Sequence, residues 1–356
     1  MIRAIFALLS GVLVATLAPV GSGQAQDMLT LRDHLLVVGS QTTASVAGQL
    51  VGAFSERYPT VARPELRSVD AAAAADLFCA SIGPETPDIM ILSRRLSAGA
   101  QEACSSNGVR DIVEVQIGLG AVVLAVNRGD PAPALTSRQV YEALAAERVA
   151  GEAFMPNKVA TWSQIAPYLP STPIRVIVPA QGTDGRQLFD DLVLEAGCRK
   201  VRGIRLVFEA SYRRGKCITL REDGAVTVLP SLDVPAAVFA APAGTIGVMP
   251  MVEVANSGGN LIALSLDGVD ATASTVASLE YDQTRVVYLY AKRQHARNQS
   301  GVGVVRGIAE MLVEATREAA IGPGGYLTSS GLVPLPPADR LAQRRVAEQM
   351  TLMRPQ

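Results

Sequence analysis

Leu35 to Val38 form an unbroken apolar run that ends at a polar turn, Gly39-Ser40-Gln41-Thr42-Thr43. Val46, Leu50 and Phe54 then recur every fourth residue. The run predicts a short buried strand, and the four-residue period predicts a helix capped by Thr42 or Thr43. The same succession of strand, polar turn and helix returns at Ile174–Val178, where a Gly-containing turn leads to a helix bearing Leu188, Leu192 and Leu194. Asp88–Leu92 predicts a further strand with Ser93, Arg94 and Arg95 at its C-terminal end. DIVEVQIGLGAVVLAVN reads as two apolar strands around Gly118-Leu119-Gly120, and ALTSRQVYEALAAE as a helix capped by Thr136 or Ser137. GTIGVMPM and TRVVYLYAKR read as strands, and the final fifty residues as mainly helical. Strands alternate with helices throughout, which predicts an α/β fold. Apart from the alanine run at 71–75, there is no low-complexity segment, internal repeat or coiled coil.

The two strand–turn–helix units point backbone N–H groups and a helix dipole at whatever lies in the turn, an arrangement suited to an anion. Ligands of open α/β sheets bind beyond the carboxyl ends of strands. Ser93 and Arg94, one neutral donor and one bidentate cation, suit an oxyanion there. Two such turns far apart in the chain predict two lobes that close over a ligand.

Composition narrows the field. The 356 residues are 49% hydrophobic, 18% charged and 4% aromatic, with a net charge of −1. No overall basic field points to nucleic acid or to an anionic membrane surface. Arg3, the apolar stretch Ile5–Val20 and the small residues Gly23-Gln24-Ala25 predict a secretory signal peptide over 1–25, cleaved after Ala25. No cysteine sits there to take a lipid anchor, and no later stretch is long and apolar enough to span a bilayer. Four cysteines suit an oxidising compartment. Of three connectivities, Cys79–Cys104 with Cys198–Cys217 is favoured, because each pair brackets one helix-loop-strand segment. Each bridge would add ~3 kcal/mol. A zinc site fits poorly, since the histidines are His34 and His295 alone. His34, beside a buried strand, reads as structural, and His295, between charged residues, as a surface residue.

Taken in series, VVGSQTT, LFCAS…PDIMILSRRLS, IGLGAVVLAVN, TWSQI, GCRK…C…REDGA, GTIGV and GYLTSSGLVPLP resemble the PstS-like phosphate-binding proteins of ABC importers, in the type 2 periplasmic binding protein family. The resemblance covers about residues 33–340. It implies two α/β lobes joined by two crossing strands, near Val122–Asn127 and Val286–Arg293. Lobe one would comprise 27–122 plus 288–356, and lobe two 123–287. It also implies an oxyanion, phosphate first among the candidates, held by three loops and a Ser-Arg pair.

The carry-over is uneven. The first loop is similar to the family's V-G-S-S-T, keeping Ser40 and Thr42 but with Gln41 in place of a serine. The Ser-Arg pair survives as Ser93-Arg94. The family's second loop, G-T-G-G-G, is replaced by Asp70-Ala71-Ala72-Ala73-Ala74. Alanine disfavours positive φ and favours helix, so the run predicts an early helix start capped by Ser68 or Asp70. Ala71 and Ala72 would still offer amides to an anion, with Asp70 competing for them. The third loop, S-G-T-R-x-x-F in the family, fits either Thr183-Asp184-Gly185-Arg186 with Phe189, or Gln181-Gly182-Thr183 with an insertion. Gly182, Thr183 and Arg186 are the ligand candidates.

Asp70 and Asp184 oppose a dianion. Two unit charges 4 Å apart repel by ~4 kcal/mol at an effective dielectric near 20, about three decades of affinity. One carboxylate could instead accept a proton from monoprotonated phosphate. The sequence thus predicts a monomeric periplasmic solute-binding protein, without cofactor or metal, docking on an ABC permease. The alternative is a related binding module whose ligand is changed or lost, acting on another small molecule or as a protein-interaction or sensor component. No G-x-S-x-G elbow, P-loop or H-E-x-x-H supports an enzyme.

Overall fold

The computed structural model describes residues 32–150, 153–296 and 303–354; the signal peptide expected over 1–25 lies outside them. Its strands are β1 (His34–Ser40), β2 (Ala62–Val69), β3 (Ile89–Leu92), β4 (Ile112–Asn127), β5 (Glu147–Ala150), β6 (Ala153–Pro156), β7 (Val176–Pro179), β8 (Val226–Leu229), β9 (Ile246–Pro250), β10 (Leu261–Ala263) and β11 (Thr284–Lys292). The main sheet runs β2-β1-β3-β11-β4-β9-β7-β8, with β10 also on β4 and β5-β6 as a separate hairpin. β1, β2 and β3 are parallel, as are β7, β8 and β9, while β11 and β4 run against their neighbours.

The centre of the architecture is β4, sixteen residues long. From Ile112 to Ala121 it pairs with β11, and from Val122 to Ala125 it pairs with β9. The expected break at Gly118–Gly120 is absent. The two glycines are absorbed within the strand, where the β11 register shifts opposite Val287 and Tyr288. Each half has its own core. Leu35, Leu50, Phe54, Ile89, Val115 and Leu289 pack in the first, and Trp162, Val123, Val176, Phe189 and Val248 in the second. The architecture is the two-lobed α/β fold.

Helix α1 (Ala44–Arg57) buries Val46, Leu50 and Phe54 against the first sheet, as the period requires. Neither Thr42 nor Thr43 caps it through a side chain; a single 3-10 turn, Gln41–Thr43, intervenes and redirects both hydroxyls. Helix α2 (Ala71–Cys79) begins at the first alanine. Helices α3 (Ala98–Ser106) and α4 (Ser137–Leu144) follow; Thr136 caps α4 in a capping box with Gln139. Cys79 and Cys104, and Cys198 and Cys217, stand at disulfide distance.

The first sheet also encloses a charged cluster. Asp88, fully buried, receives both Nη atoms of Arg32 (2.9 and 2.7 Å), the Leu36 amide (2.7 Å) and His295 Nδ1 (2.8 Å). His295 Nε2 faces the Ile82 carbonyl at 3.0 Å, so both ring nitrogens meet acceptors. The surface position expected for His295 is therefore corrected: it is wholly buried, and His34 is the half-exposed histidine. Lys292, also fully buried, donates to the Ser81 carbonyl and Thr86 Oγ1, both at 2.7 Å, and lies over the Phe78 ring. Burial pushes its ammonium down to about 7, against the pull of Asp88 and with the push of Arg32. Between about 7 and the ordinary lysine range the native chain binds fewer protons than the unfolded one, so Lys292 makes stability rise with pH across that window. Lys292→Met should flatten the rise, which is about 1.4 kcal/mol per pH unit at its steepest. Urea midpoints of both proteins at several pH values check this; parallel curves would refute it.

Candidate functional site

β1 and β3 lie side by side, Gly39 opposite Ile91, and end together at the carboxyl edge of the first sheet. That adjacency brings two turns distant in sequence into one hydroxyl cluster. Ser40 Oγ, fully buried, lies 3.2 Å from Thr42 Oγ1 and 3.1 Å from Thr43 Oγ1. Thr42 Oγ1 reaches Ser93 Oγ at 3.0 Å. Thr43 Oγ1 is turned toward the Ser40 and Ile91 carbonyls, at 3.0 Å each, and anchors the group. Thr42 and Ser93 face a cleft, with Ser40 behind them.

The opposite wall comes from the second half of the chain. Helix α5 (Asp184–Phe189) packs against the Gln41–Thr43 turn, and Gly185 and Leu188 line the cleft. Thr183 caps α5, with Oγ1 accepting from the Arg186 amide (3.3 Å) and donating to the Ala180 carbonyl (2.7 Å). Gly182 takes φ +85°, where glycine is strongly preferred. The turn is thus Gln181-Gly182 with Thr183 as the cap. The floor is the crossing point itself, Leu119–Val122 of β4 with Arg285 and Val287 of β11. The C-terminal segment closes the far side with Ser330, Gly331 and Leu332, against Met251 and Val252. Ser330 is 4% exposed, and its Oγ is buried without a hydrogen-bond partner among the described residues.

A family model described as the PBP superfamily domain matches residues 19–307. The chain belongs to the PBP superfamily. Among solved structures, this PBP-superfamily chain is similar to a substrate-binding protein assigned to phosphate ABC transport, with bound phosphate, from Clostridium perfringens. That match has TM-score 0.59 and 17% identity, covering 85% of this chain and 100% of that one. It is also similar to an ABC-type phosphate transport receptor from Vibrio cholerae, with TM-score 0.57, 15% identity and coverage of 85% and 100%. A phosphate-binding protein from Stenotrophomonas maltophilia gives TM-score 0.57, 13% identity and coverage of 88% and 94%. No curated protein matches the sequence.

In this PBP-superfamily chain the expected ligand residues divide. Thr42 and Ser93 line the cleft; Ser40 and Gln41 stand in the same turn behind or beside it. Arg94 is half-buried next to Ser93 and forms no ion pair among the described residues, whereas Arg95 is tied to Glu114 at 2.9 Å. Arg186 turns away into its own half, with Nε 2.6 Å from Asp190 Oδ1 and Nη2 3.2 Å from the Ile218 carbonyl. Burial pushes the Asp190 carboxyl up to about 6, against the pull of Arg186. Asp70, Ala71 and Ala72 are not on the lining of the cleft. Asp70 holds the N-cap position of α2 but does not cap with its side chain, contrary to expectation, and its Oδ1 is buried without a hydrogen-bond partner among the described residues. The side chain of Asp184 lies outside the described part of the chain. Thr43, Arg285 and Ser330 were missed. The one signal for Arg285 was a cation at the mouth of an apolar strand, and for Ser330 a paired serine before a turn glycine.

Proposed function

We propose that this chain is an extracytoplasmic solute-binding protein that captures an oxyanion between two lobes and presents it to an ABC permease. Phosphate stands first among the candidates. The observation that carries the reading is one cleft, lined by the Thr42–Ser93 hydroxyl pair from the first sheet and by Arg285 from the crossing strand. The hydroxyls would donate to the anion oxygens and the guanidinium would supply a bidentate charge. Arg94, next to Ser93 at the end of β3, is a second cation near the cleft. The lobes would be 27–122 with 288–356, and 123–287. The change of partner along β4 at Ala121 and Val122 supports a hinge there. A receptor of this kind needs no chemical step, and the lining of hydroxyls, one guanidinium and aliphatic groups suits capture and release.

The aliphatic share of the wall, from Leu188, Met251, Val252 and Leu332, favours a second reading. An organic phosphonate or similar anion could bury its carbon chain there, which bare phosphate cannot. Calorimetric titration with phosphate, sulfate and an alkyl phosphonate tests both readings. Binding of phosphate, weakened about ten- to hundredfold by Arg285→Gln through loss of a charged hydrogen bond, is expected. Preference for the phosphonate would establish the second reading. No heat from any of the three at millimolar concentration would sink the oxyanion assignment.

A further inference from the structure

The near-neutral charge of the chain conceals one strongly basic segment. Between Cys198 and Cys217 lie seven cations, Arg199, Lys200, Arg202, Arg205, Arg213, Arg214 and Lys216, against the single acid Glu209. Three of the seven are neutralised by neighbours: Lys200 by Asp267, Arg214 by Asp191 and Glu195, and Lys216 by Glu147. The other four form no ion pair among the described residues. Three of these, Arg199, Arg205 and Arg213, converge with Ile204 on one surface hollow. Arg213 donates to the Val207 carbonyl at 2.8 Å, while its Nε is buried without a hydrogen-bond partner among the described residues.

Large apolar side chains stand beside the hollow. Leu206 is 68% exposed and Phe208 86% exposed, on either side of the residue whose carbonyl Arg213 holds. Cys198 and Cys217 close the segment at disulfide distance, and Ile204 packs with them in a small buried cluster. The apolar pair is therefore displayed from an anchored frame. Guanidinium groups outside any ion pair around a hollow, with two protruding apolar side chains beside them, match the interfacial region of an anionic bilayer. Phosphate headgroups meet the arginines while the apolar side chains enter the acyl boundary. A protein partner would need a complementary surface of roughly 1,000 Å² or more; a bilayer needs only the protrusion and the charge.

We propose that the Cys198–Cys217 segment is an anionic-phospholipid docking site, with Arg199, Arg205 and Arg213 holding headgroup phosphate and Leu206 and Phe208 inserting. The site is separate from the cleft and independent of its ligand. The test is co-sedimentation of the mature protein with vesicles of phosphatidylcholine alone and of equal parts phosphatidylcholine and phosphatidylglycerol. Binding is expected to the anionic vesicles only, and to weaken as salt screens the charges. Arg199→Ser with Arg205→Ser should weaken it about fivefold per arginine, and Leu206→Ser with Phe208→Ser about a hundredfold. These are exposed positions, and unchanged circular dichroism and thermal midpoint would show that the variants fold. Equal binding to both vesicle types, binding to neither, or parental binding by the variants would overturn the proposal. So would a hollow occupied by inorganic phosphate in solution but indifferent to Phe208→Ser, which would mark a soluble-anion site instead.

Discussion

Asp88→Asn is expected to cost about 3–5 kcal/mol of stability. The carboxylate is the one anion among Arg32, His295 and Lys292; Asp88, His295 and Lys292 are fully buried, and the Arg32 side chain is 9% exposed. It accepts four hydrogen bonds, from Arg32 twice, from His295 and from the Leu36 amide. An asparagine of the same shape removes the charge and replaces one acceptor with a donor aimed at a cation. The guanidinium then has no anion to oppose it, and either the imidazole or the Leu36 amide faces an N–H donor in place of its acceptor. Such a loss should appear as a lower urea midpoint at unchanged slope. A shift worth less than about 1 kcal/mol would mean that water reaches the cluster and solvates its charges, against the burial described.

Gly331→Val is expected to destabilise the chain by at least ~2 kcal/mol and to weaken capture in the cleft. Gly331 takes φ +79°, a conformation that costs a residue with a side chain ~1–2 kcal/mol. A Cβ there would also stand 2.2 Å from Val252 Cβ and 3.0 Å from Val252 Cα. That collision falls on the cleft wall, where the C-terminal segment meets the residues after β9. The overlap cannot be relieved by a rotamer change, because backbone is among the atoms struck. The two walls must part. Val252→Gly, made in the same chain, should recover the overlap while leaving the conformational strain. Strict additivity of the two substitutions would show that Gly331 is required for its φ alone.

The regular parts of this fold were legible because they are periodic. β1, β3, β7, β9 and β11 fall on the apolar runs, and α1 falls on the four-residue spacing of Val46, Leu50 and Phe54. The alanine run starts α2 where helix propensity places it. β2 was not legible: Ala62–Val69 buries Pro64 alone, with Leu66 and Val69 half-buried, so its pattern is weak. The single strand β4 has the sequence pattern of two, because glycine in a strand resembles a turn and the partner that holds it straight lies far along the chain. The site was legible to the same degree. Thr42 and Ser93 follow strands whose ends a sheet must align. Arg285 and Ser330 reach the cleft through contacts spanning more than half the chain, and His295 reaches Asp88 across 207 residues. Polar residues at element ends carry no period, so nothing local separates these from solvated ones.

The pairing of β11 with both β3 and β4 also sets an order of events. Ile89 meets Ala291 and Ile112 meets Lys292, so the first sheet remains open until a segment about 200 residues downstream arrives. The second sheet can assemble from β4 onward without it. Loop-closure entropy must be met before those distant contacts return anything, which places the chain among slow folders. While β11 is missing, β3 and the first half of β4 present unpaired edges rich in Val, Ile and Met. That interval, rather than the finished molecule, is when this protein is most exposed to aggregation and proteolysis.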